Sequence, residues 1–220
     1  LIHAGGNYMT TGFSQSASSD LVYLENDISI AQVNQIMENY YGINQYDVIA
    51  DPNNTYIDHI DCWGKYLSTT KVLIRQVPQN HPQYEEVESA ALFFRNTNNS
   101  FGEEWKLFRV YTPDNQPYTN SLILNEKIFV PLVNSEWDDD AIVSYQNAMP
   151  GYEILGFTGS WESTDALHCR TKGIPDLKML QIFHKPLTDS VDTNDLEIDS
   201  GYSVTINIDN LNNSNIVGSS

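Results

Sequence analysis

Four side chains in this sequence could act together on one small cation. His59 and Asp61 stand two residues apart, Asn120 follows His59 by 61 residues, and Cys169 follows Asn120 by 49. On an extended strand, residues i and i+2 point to the same face, so the imidazole and the carboxylate would share a surface. A carboxylate accepts paired, charge-assisted hydrogen bonds from a guanidinium, whose fork of donors matches it. A thiolate can form a covalent intermediate at a guanidinium carbon, and an imidazole can move protons around it. This chemistry would use Cys169 as nucleophile, His59 as general acid and base, and Asp61 as the binder of the cation. Each residue also has a plain structural reading. A cysteine often acts as a small buried hydrophobe, which suits Cys62, beside Trp63, better than Cys169. A His-x-Asp pair can be a hydrogen-bonding pair at a surface, and an Asn before a hairpin is ordinary turn chemistry. His3, His81, His168 and His184 have no partner at useful spacing and are expected to be structural.

Three helices mark out the repeat that would position these residues. The first is expected over 30–41, with Ser29 and Gln32 at capping-box spacing, an apolar face of Ile30, Val33, Ile36, Met37 and Tyr40, and Gly42 to stop it. The second starts near Pro82, with Glu85, Glu86 and Glu88 early and Tyr84, Val87, Ala91 and Phe94 as its stripe. The third starts near Ser135 and ends at Met149, before Pro150-Gly151. Asp138, Asp139 and Asp140 fall in its first turn, where the helix dipole accounts for them without a metal. Short β-rich runs lie between the helices: 21–24, 46–49, 71–77, 106–111, 122–133, 152–157 and 179–183. Counted from 29, 81 and 135, the helix starts are 52 and 54 residues apart, which predicts a repeated strand–strand–helix–strand unit with a period near 50. A fourth unit begins near Asp165 and has no helix after it. Units arranged about a pseudo-symmetry axis would bring corresponding first strands, and with them His59, Asn120 and Cys169, to one centre.

The remaining composition mainly excludes. The 220 residues carry 11 Lys+Arg against 29 Asp+Glu, a formal charge of −18, which disfavours wrapped nucleic acid and anionic membrane surfaces as partners. No run approaches the 18 consecutive apolar residues of a membrane-spanning helix. Two cysteines cannot form a disulfide framework, and no His/Cys cluster has zinc-finger spacing. From about Thr188 onward Asp, Asn, Ser and Thr dominate, apart from one alternating run at 202–208. The expected division is therefore 1–187 as the repeat-bearing domain and 188–220 as a linker with the beginning of a β module, or a tail. The chain begins on Leu1, so it reads as a mature product or a piece of something longer.

Several strings resemble one family. They are Gly5-Gly6-Asn7-Tyr8-Met9, the run 51–65 ending Asp58-His59-Ile60-Asp61-Cys62-Trp63-Gly64-Lys65, the run 111–121 ending Pro117-Tyr118-Thr119-Asn120-Ser121, and the run 156–173 containing Asp165-Ala166-Leu167-His168-Cys169-Arg170-Thr171-Lys172-Gly173. Over about residues 1–187 they are similar to the bacterial, Porphyromonas-type peptidylarginine deiminases of the guanidine-modifying (pentein) superfamily. The resemblance implies an α/β fold, a pentein-type propeller of ββαβ units. It implies Cys169 as nucleophile, His59 as general acid and base, Asp61 as a guanidinium carboxylate and Asn120 in the active centre. Tyr56, Ile57 and Thr164 would line the substrate pocket. The implied reaction is hydrolysis of peptidyl-arginine to citrulline and ammonia through a thiouronium on Cys169. No cofactor is required, a structural calcium is left open, and a secreted or cell-surface location is implied. Partners would be arginine-containing peptides or proteins. The family's second guanidinium aspartate, in an early Arg-Asp motif near a Trp, has no match here, nor do the arginines that hold a terminal carboxylate. The expectation is an incomplete ring lacking its N-terminal blades, which would be upstream partners, followed by the start of an immunoglobulin-like module.

Two rivals stand beside this reading. One is an agmatine or free-arginine deiminase of the same superfamily. The agmatine enzymes usually carry Asn-Ile-His-Cys where this chain has Ala166-Leu167-His168-Cys169. The other is a non-catalytic β-rich binding or surface module in which His59, Asp61 and Cys169 are fortuitous.

Overall fold

The computed structural model describes residues 1–174, 181–184 and 206–209. The chain divides into two units, Leu1–Thr171 and Lys172–Ser220.

The first unit repeats one motif three times. Strands β1 (Met9–Thr10), β2 (Gln15–Ser19) and β3 (Gln45–Ile49) form the first sheet. Helices α1 (Leu21–Leu24) and α2 (Ile30–Tyr41) lie between β2 and β3. Strands β4 (Gly64–Tyr66), β5 (Lys71–Gln76) and β6 (Lys106–Tyr111) form the second sheet, with helix α3 (Tyr84–Asn96) between β5 and β6. Strands β7 (Leu122–Leu124), β8 (Lys127–Leu132) and β9 (Glu153–Thr158) form the third, with α4 (Asp138–Ala148) before β9. In each sheet the first two strands pair antiparallel and the third joins the second in parallel, as a helical crossover requires. Helices α2, α3 and α4 begin at residues 30, 84 and 138, an even period of 54.

Local chemistry accounts for the helix ends. Ser29 N donates to Gln32 Oε1 (2.9 Å) while Gln32 N donates to Ser29 Oγ (3.3 Å), a reciprocal capping box, and Gly42 closes α2 at φ +67°. Helix α3 has Glu85 and Glu86 in its first turn and Arg95 in its last, both matched to the dipole. In α4, Asp138 accepts from Tyr118 Oη (2.7 Å), Val133 N (3.3 Å) and Asn134 N (2.9 Å), so it binds the preceding loops to the helix start.

Two apolar clusters fill the unit. One gathers Ile60, Trp63, Ile74, Phe94 and Trp105, with Tyr66 stacked on Trp105 at 4.8 Å. The other gathers Leu73, Tyr118, Ile128, Val130 and Tyr145. Buried Arg75, on β5, ties two polar loops together: Nη1 donates to Asn53 Oδ1 (2.5 Å), Nη2 to Asn115 Oδ1 (2.5 Å) and Nε to Thr112 Oγ1 (3.2 Å). These loops lead into 56–61 and 117–121.

Some expectations are corrected. Residues 21–24 are helical rather than extended. Strand β2, Gln-Ser-Ala-Ser-Ser, is wholly buried although its sequence carries no β-rich signal. The expected first strands at 58–61, 118–121 and 165–170 are turns, the first running into a 3-10 helix at Ile60–Cys62. Only Val33 and Met37 of the anticipated α2 face are buried, whereas Ile30 and Tyr40 are exposed. In the second unit, β10 (Gln181–His184) pairs antiparallel with β11 (Ile206–Asp209). The linker expected from residue 188 lies, through residue 205, outside the described residues.

Replacing Ser29 with Ala removes the side-chain acceptor for Gln32 N and leaves only the Ser29 N–H bond to Gln32 Oε1. The expected loss is about 1 kcal/mol, read as a lowered midpoint in thermal or urea unfolding.

Candidate active site

The site is built from three turns. The first runs from Asp58, at a left-handed φ of +53°, through extended His59 into the 3-10 helix Ile60–Cys62. Ile60 and Cys62 anchor this turn in the core, and Asp61 is only 2% exposed. Although 58–61 is not a strand, His59 and Asp61 do reach a common neighbour, Gly6. A Cβ on Gly6 would lie 2.7 Å from His59 Nδ1 and 3.0 Å from Asp61 Oδ2, so only glycine fits without displacing one of them. Buried Asn7 fixes this approach: its Oδ1 accepts from Ser19 N (2.8 Å) and Ile60 N (3.2 Å), while Nδ2 donates to Ser19 O (3.4 Å).

The second turn ends at fully buried Asn120, whose N–H donates to Pro117 O at 2.9 Å. Tyr145, inside α4, secures it by donating to Tyr118 O (2.8 Å) and meeting Ser121 Oγ (2.8 Å). The third turn carries Cys169 and is bound to the second by His168 N donating to Asn120 O (3.1 Å). Asn120 Oδ1 accepts from Cys169 N (3.3 Å) and Nδ2 donates to the sulfur (3.1 Å).

Asp61 is the meeting point. Its Oδ2 lies 3.4 Å from Cys169 Sγ and 2.7 Å from His168 Nδ1, while Oδ1 lies 3.6 Å from Cys62 Sγ. The two thiols also approach one carbonyl, Thr164 O, at 3.7 and 3.9 Å. Thr164 Oγ1 meets Tyr56 Oη at 3.2 Å, and Ile57 packs on the first apolar cluster. The His59 carbonyl accepts from Cys62 N (3.1 Å), whereas its imidazole makes no hydrogen bond among the described residues and lies across Gly6 beside Asp61.

The structure therefore gathers Cys169, Asp61 and Asn120, with Thr164 and Tyr56 at the rim and His59 beside the carboxylate. His168, expected to be structural, instead bonds directly to Asp61. Gly6 and Asn7 are further positioning residues. The spacing of residue types does not reveal these three, since their contacts with the 59–61 turn span 53 to 107 positions in sequence. Adjacency of His168 to Cys169 was the one available signal.

Burial and the Asp61 charge push the Cys169 thiol up from its ordinary value, against the hydrogen bond from Asn120, which favours the thiolate. Burial and the same carboxylate push Cys62 much further. The outer thiol is exposed and the inner one buried, so only Cys169 is placed to react with a solute. A flat cation entering beside Asp61 would offset the negative charge that restrains this thiol.

The sequence profile of Porphyromonas-type peptidyl-arginine deiminases matches residues 15–175, and the chain belongs to that family, within the pentein superfamily. A Yersinia pseudotuberculosis protein provisionally named an agmatine deiminase is 28% identical, over 66% of this chain and 48% of its own length. The chain spans about half the length of the curated relatives it matches. Among solved structures, the agmatine deiminase of Enterococcus faecalis aligns with a TM-score of 0.67 and 17% identity, covering 75% of this chain and 55% of that one. A Porphyromonas gingivalis protein provisionally named an arginine deiminase gives 0.69 and 18%, covering 75% and 54%. These likenesses establish the α/β fold of the pentein deiminases.

Gly6→Ala is expected to destabilise the folded chain by about 1–3 kcal/mol through overpacking against His59 and Asp61. Gly5→Ala, whose Cβ meets nothing within 4 Å, serves as the control. Thermal unfolding of the two variants compares them. In peptide mapping after iodoacetamide treatment at neutral pH, Cys169 is expected to carry the label and Cys62 to remain free.

Proposed function

We propose that this chain supplies the nucleophile-bearing part of a hydrolase that removes ammonia from a guanidinium group. The observation that carries this reading is the convergence of Cys169 Sγ, the Asp61 carboxylate and the Asn120 amide within 3.1–3.4 Å contacts. Asp61 would accept two N–H bonds from the flat cation and hold its carbon beside the sulfur. The arriving charge favours the thiolate, which attacks that carbon to form a C–S bond. Collapse of the tetrahedral species breaks one C–N bond. His59 would protonate the departing ammonia and then remove a proton from the incoming water. Water adds to the thiouronium, the C–S bond breaks, and a ureido product leaves with the Cys169 thiol restored. The Asn120 N–H donated to sulfur would stabilise the thiolate at both stages. Thr164, Tyr56 and Ile57 would shape the entrance.

For the substrate we favour a small guanidine of the agmatine type, supported by the names of the relatives at up to 28% identity and of the E. faecalis structure. Peptidyl-arginine, the substrate named by the family, is the second reading. It is supported by an exposed Cys169 and by Tyr56 at 80% exposure, an entrance open enough for a chain. The three ββαβ units fit a larger propeller of which these would be the later blades. On this proposal residues 1–187 are catalytic, 188–220 begin a β module, and the protein is secreted or at the cell surface.

Acid quenching after incubation with agmatine is expected to trap a mass gain on the Cys169 peptide equal to agmatine minus ammonia. Cys169→Ser abolishes it. An adduct on Cys62, or none with any guanidine, contradicts the reading. Where turnover is measurable, agmatine is expected to exceed a C-terminal arginine peptide in kcat/KM by about tenfold or more. The reverse order selects the peptidyl substrate.

A further inference from the structure

The buried Asp61 carboxylate has one strong hydrogen-bond donor among the described residues. Its oxygens meet two thiols, Cys169 Sγ at 3.4 Å and Cys62 Sγ at 3.6 Å, and one ring nitrogen, His168 Nδ1, at 2.7 Å. Thiols are weak donors, whereas an imidazole N–H facing a carboxylate makes a short, charge-assisted bond. An ionised carboxylate only accepts, so the nitrogen that faces it carries the hydrogen, whether the ring is neutral or charged. The Nδ1–H bond is therefore what keeps the Asp61 carboxylate from turning about its Cβ–Cγ axis.

His168 is itself fixed. Its backbone N–H donates to Asn120 O (3.1 Å), and its carbonyl accepts from Thr171 N (3.3 Å) and Thr171 Oγ1 (3.1 Å). The side chain is 27% exposed and shares with Asp61 the lining of a cavity of about 250 Å³, bounded by residues of β1, β4 and β7. Nε2 makes no hydrogen bond among the described residues, so Asp61 is the polar tie of the ring. One residue thus joins the three groups of the site: its backbone reaches Asn120, its ring reaches Asp61, and its peptide bond leads into Cys169. The proposed chemical steps leave it unused. We propose that His168 is the positioning residue of the cation-binding carboxylate, its Nδ1–H holding Asp61 Oδ2 so that a flat cation bound there lies against the Cys169 sulfur. This rests on the reading of Asp61 as the binder of the cation. A carboxylate offers about four acceptor positions; His168 takes one on Oδ2 and leaves others for the cation. Without that bond the carboxylate is free to rotate, and the alignment of cation with sulfur is lost. The signature is a change in preference for a cation over a neutral molecule, not in the reactivity of the thiol as such.

The test is made on the whole 220-residue chain, without turnover. Rates of Cys169 alkylation by chloroacetamidine, a flat cation, and by chloroacetamide, its neutral counterpart, are measured by peptide mapping for the wild type, His168→Leu and His168→Asn. The readout is the ratio of the two rates, which cancels any change common to both reagents. His168→Leu is expected to lower the ratio about tenfold, as for the loss of a hydrogen bond to a charged group. His168→Asn, whose side-chain amide can donate from the place of Nδ1, is expected to keep the ratio near its wild-type value. A role confined to packing would slow both reagents together. An unchanged ratio in His168→Leu, or an equal fall in both variants, overturns the proposal. Should His168→Leu fail to fold by circular dichroism, nitrogen NMR of histidine-labelled wild type decides, with His168→Asn identifying the signals. In mildly alkaline solution, where an ordinary imidazole is neutral, His168 is expected as the Nδ1–H tautomer, and an Nε2–H ring overturns the proposal. A wild-type ratio near unity overturns the reading of Asp61 as cation binder and this one with it. A high wild-type ratio that ignores His168 overturns this one alone.

Discussion

A carboxylate that is 2% exposed has to find its hydrogen bonds inside the protein, and Asp61 draws them from distant parts of the chain. His168 and Cys169 reach it from the third turn, Cys62 from its own turn, and Gly6 leaves the space in which it lies. Burial strengthens what Asp61 can do electrostatically, because the surrounding dielectric is low. It also makes the site demanding: the contacts that satisfy the carboxylate raise the thiol they touch. A guanidinium is suited to relieve that conflict, since it brings one delocalised positive charge and several donors in a plane.

The scaffold supports this from behind. The three sheets end in loops, and polar cross-links fix those loops to one another. Arg75 binds the 53 and 115 loops, Asn7 binds the glycine turn to β2 and Ile60, and Tyr145 holds the turn that ends in Asn120. Each bond joins segments remote in sequence, so the site belongs to the assembled repeat rather than to one motif. The buried polar strand β2 belongs to the same economy. Gln15 Nε2 donates to Asp47 at 2.8 Å, and Ser18 Oγ accepts from Tyr46 Oη at 2.8 Å, so its side chains are largely paired although the strand has almost no apolar content.

This explains what could be read from the sequence. The helices α2, α3 and α4 declared themselves through caps, acidic first turns and apolar spacing, and their regular intervals gave the repeat. Strand β2 did not, because Gln, Ser and Ala carry little β preference and its stability comes from partners on both sides. Residues 21–24 have a strand's composition yet complete a helical turn after Asp20. The pairing of His59 with Asp61 was legible for an incorrect reason: a 3-10 turn, not a strand, places both against Gly6. The reach of Asn120 to Cys169 followed from the repeat period, whereas His168 on Asp61 did not, since a contact across 107 residues leaves no local pattern.

On the proposed reading, Asp61 holds a flat cation against the Cys169 sulfur. This is tested by comparing two alkylating reagents of similar reactivity, one an amidinium cation and one a neutral amide, on the wild type and on Asp61→Asn. The cation is expected to react with Cys169 much faster than the amide in the wild type, and the ratio to fall toward unity once the carboxylate is gone. A ratio near unity in the wild type, or one that survives the loss of Asp61, would contradict it.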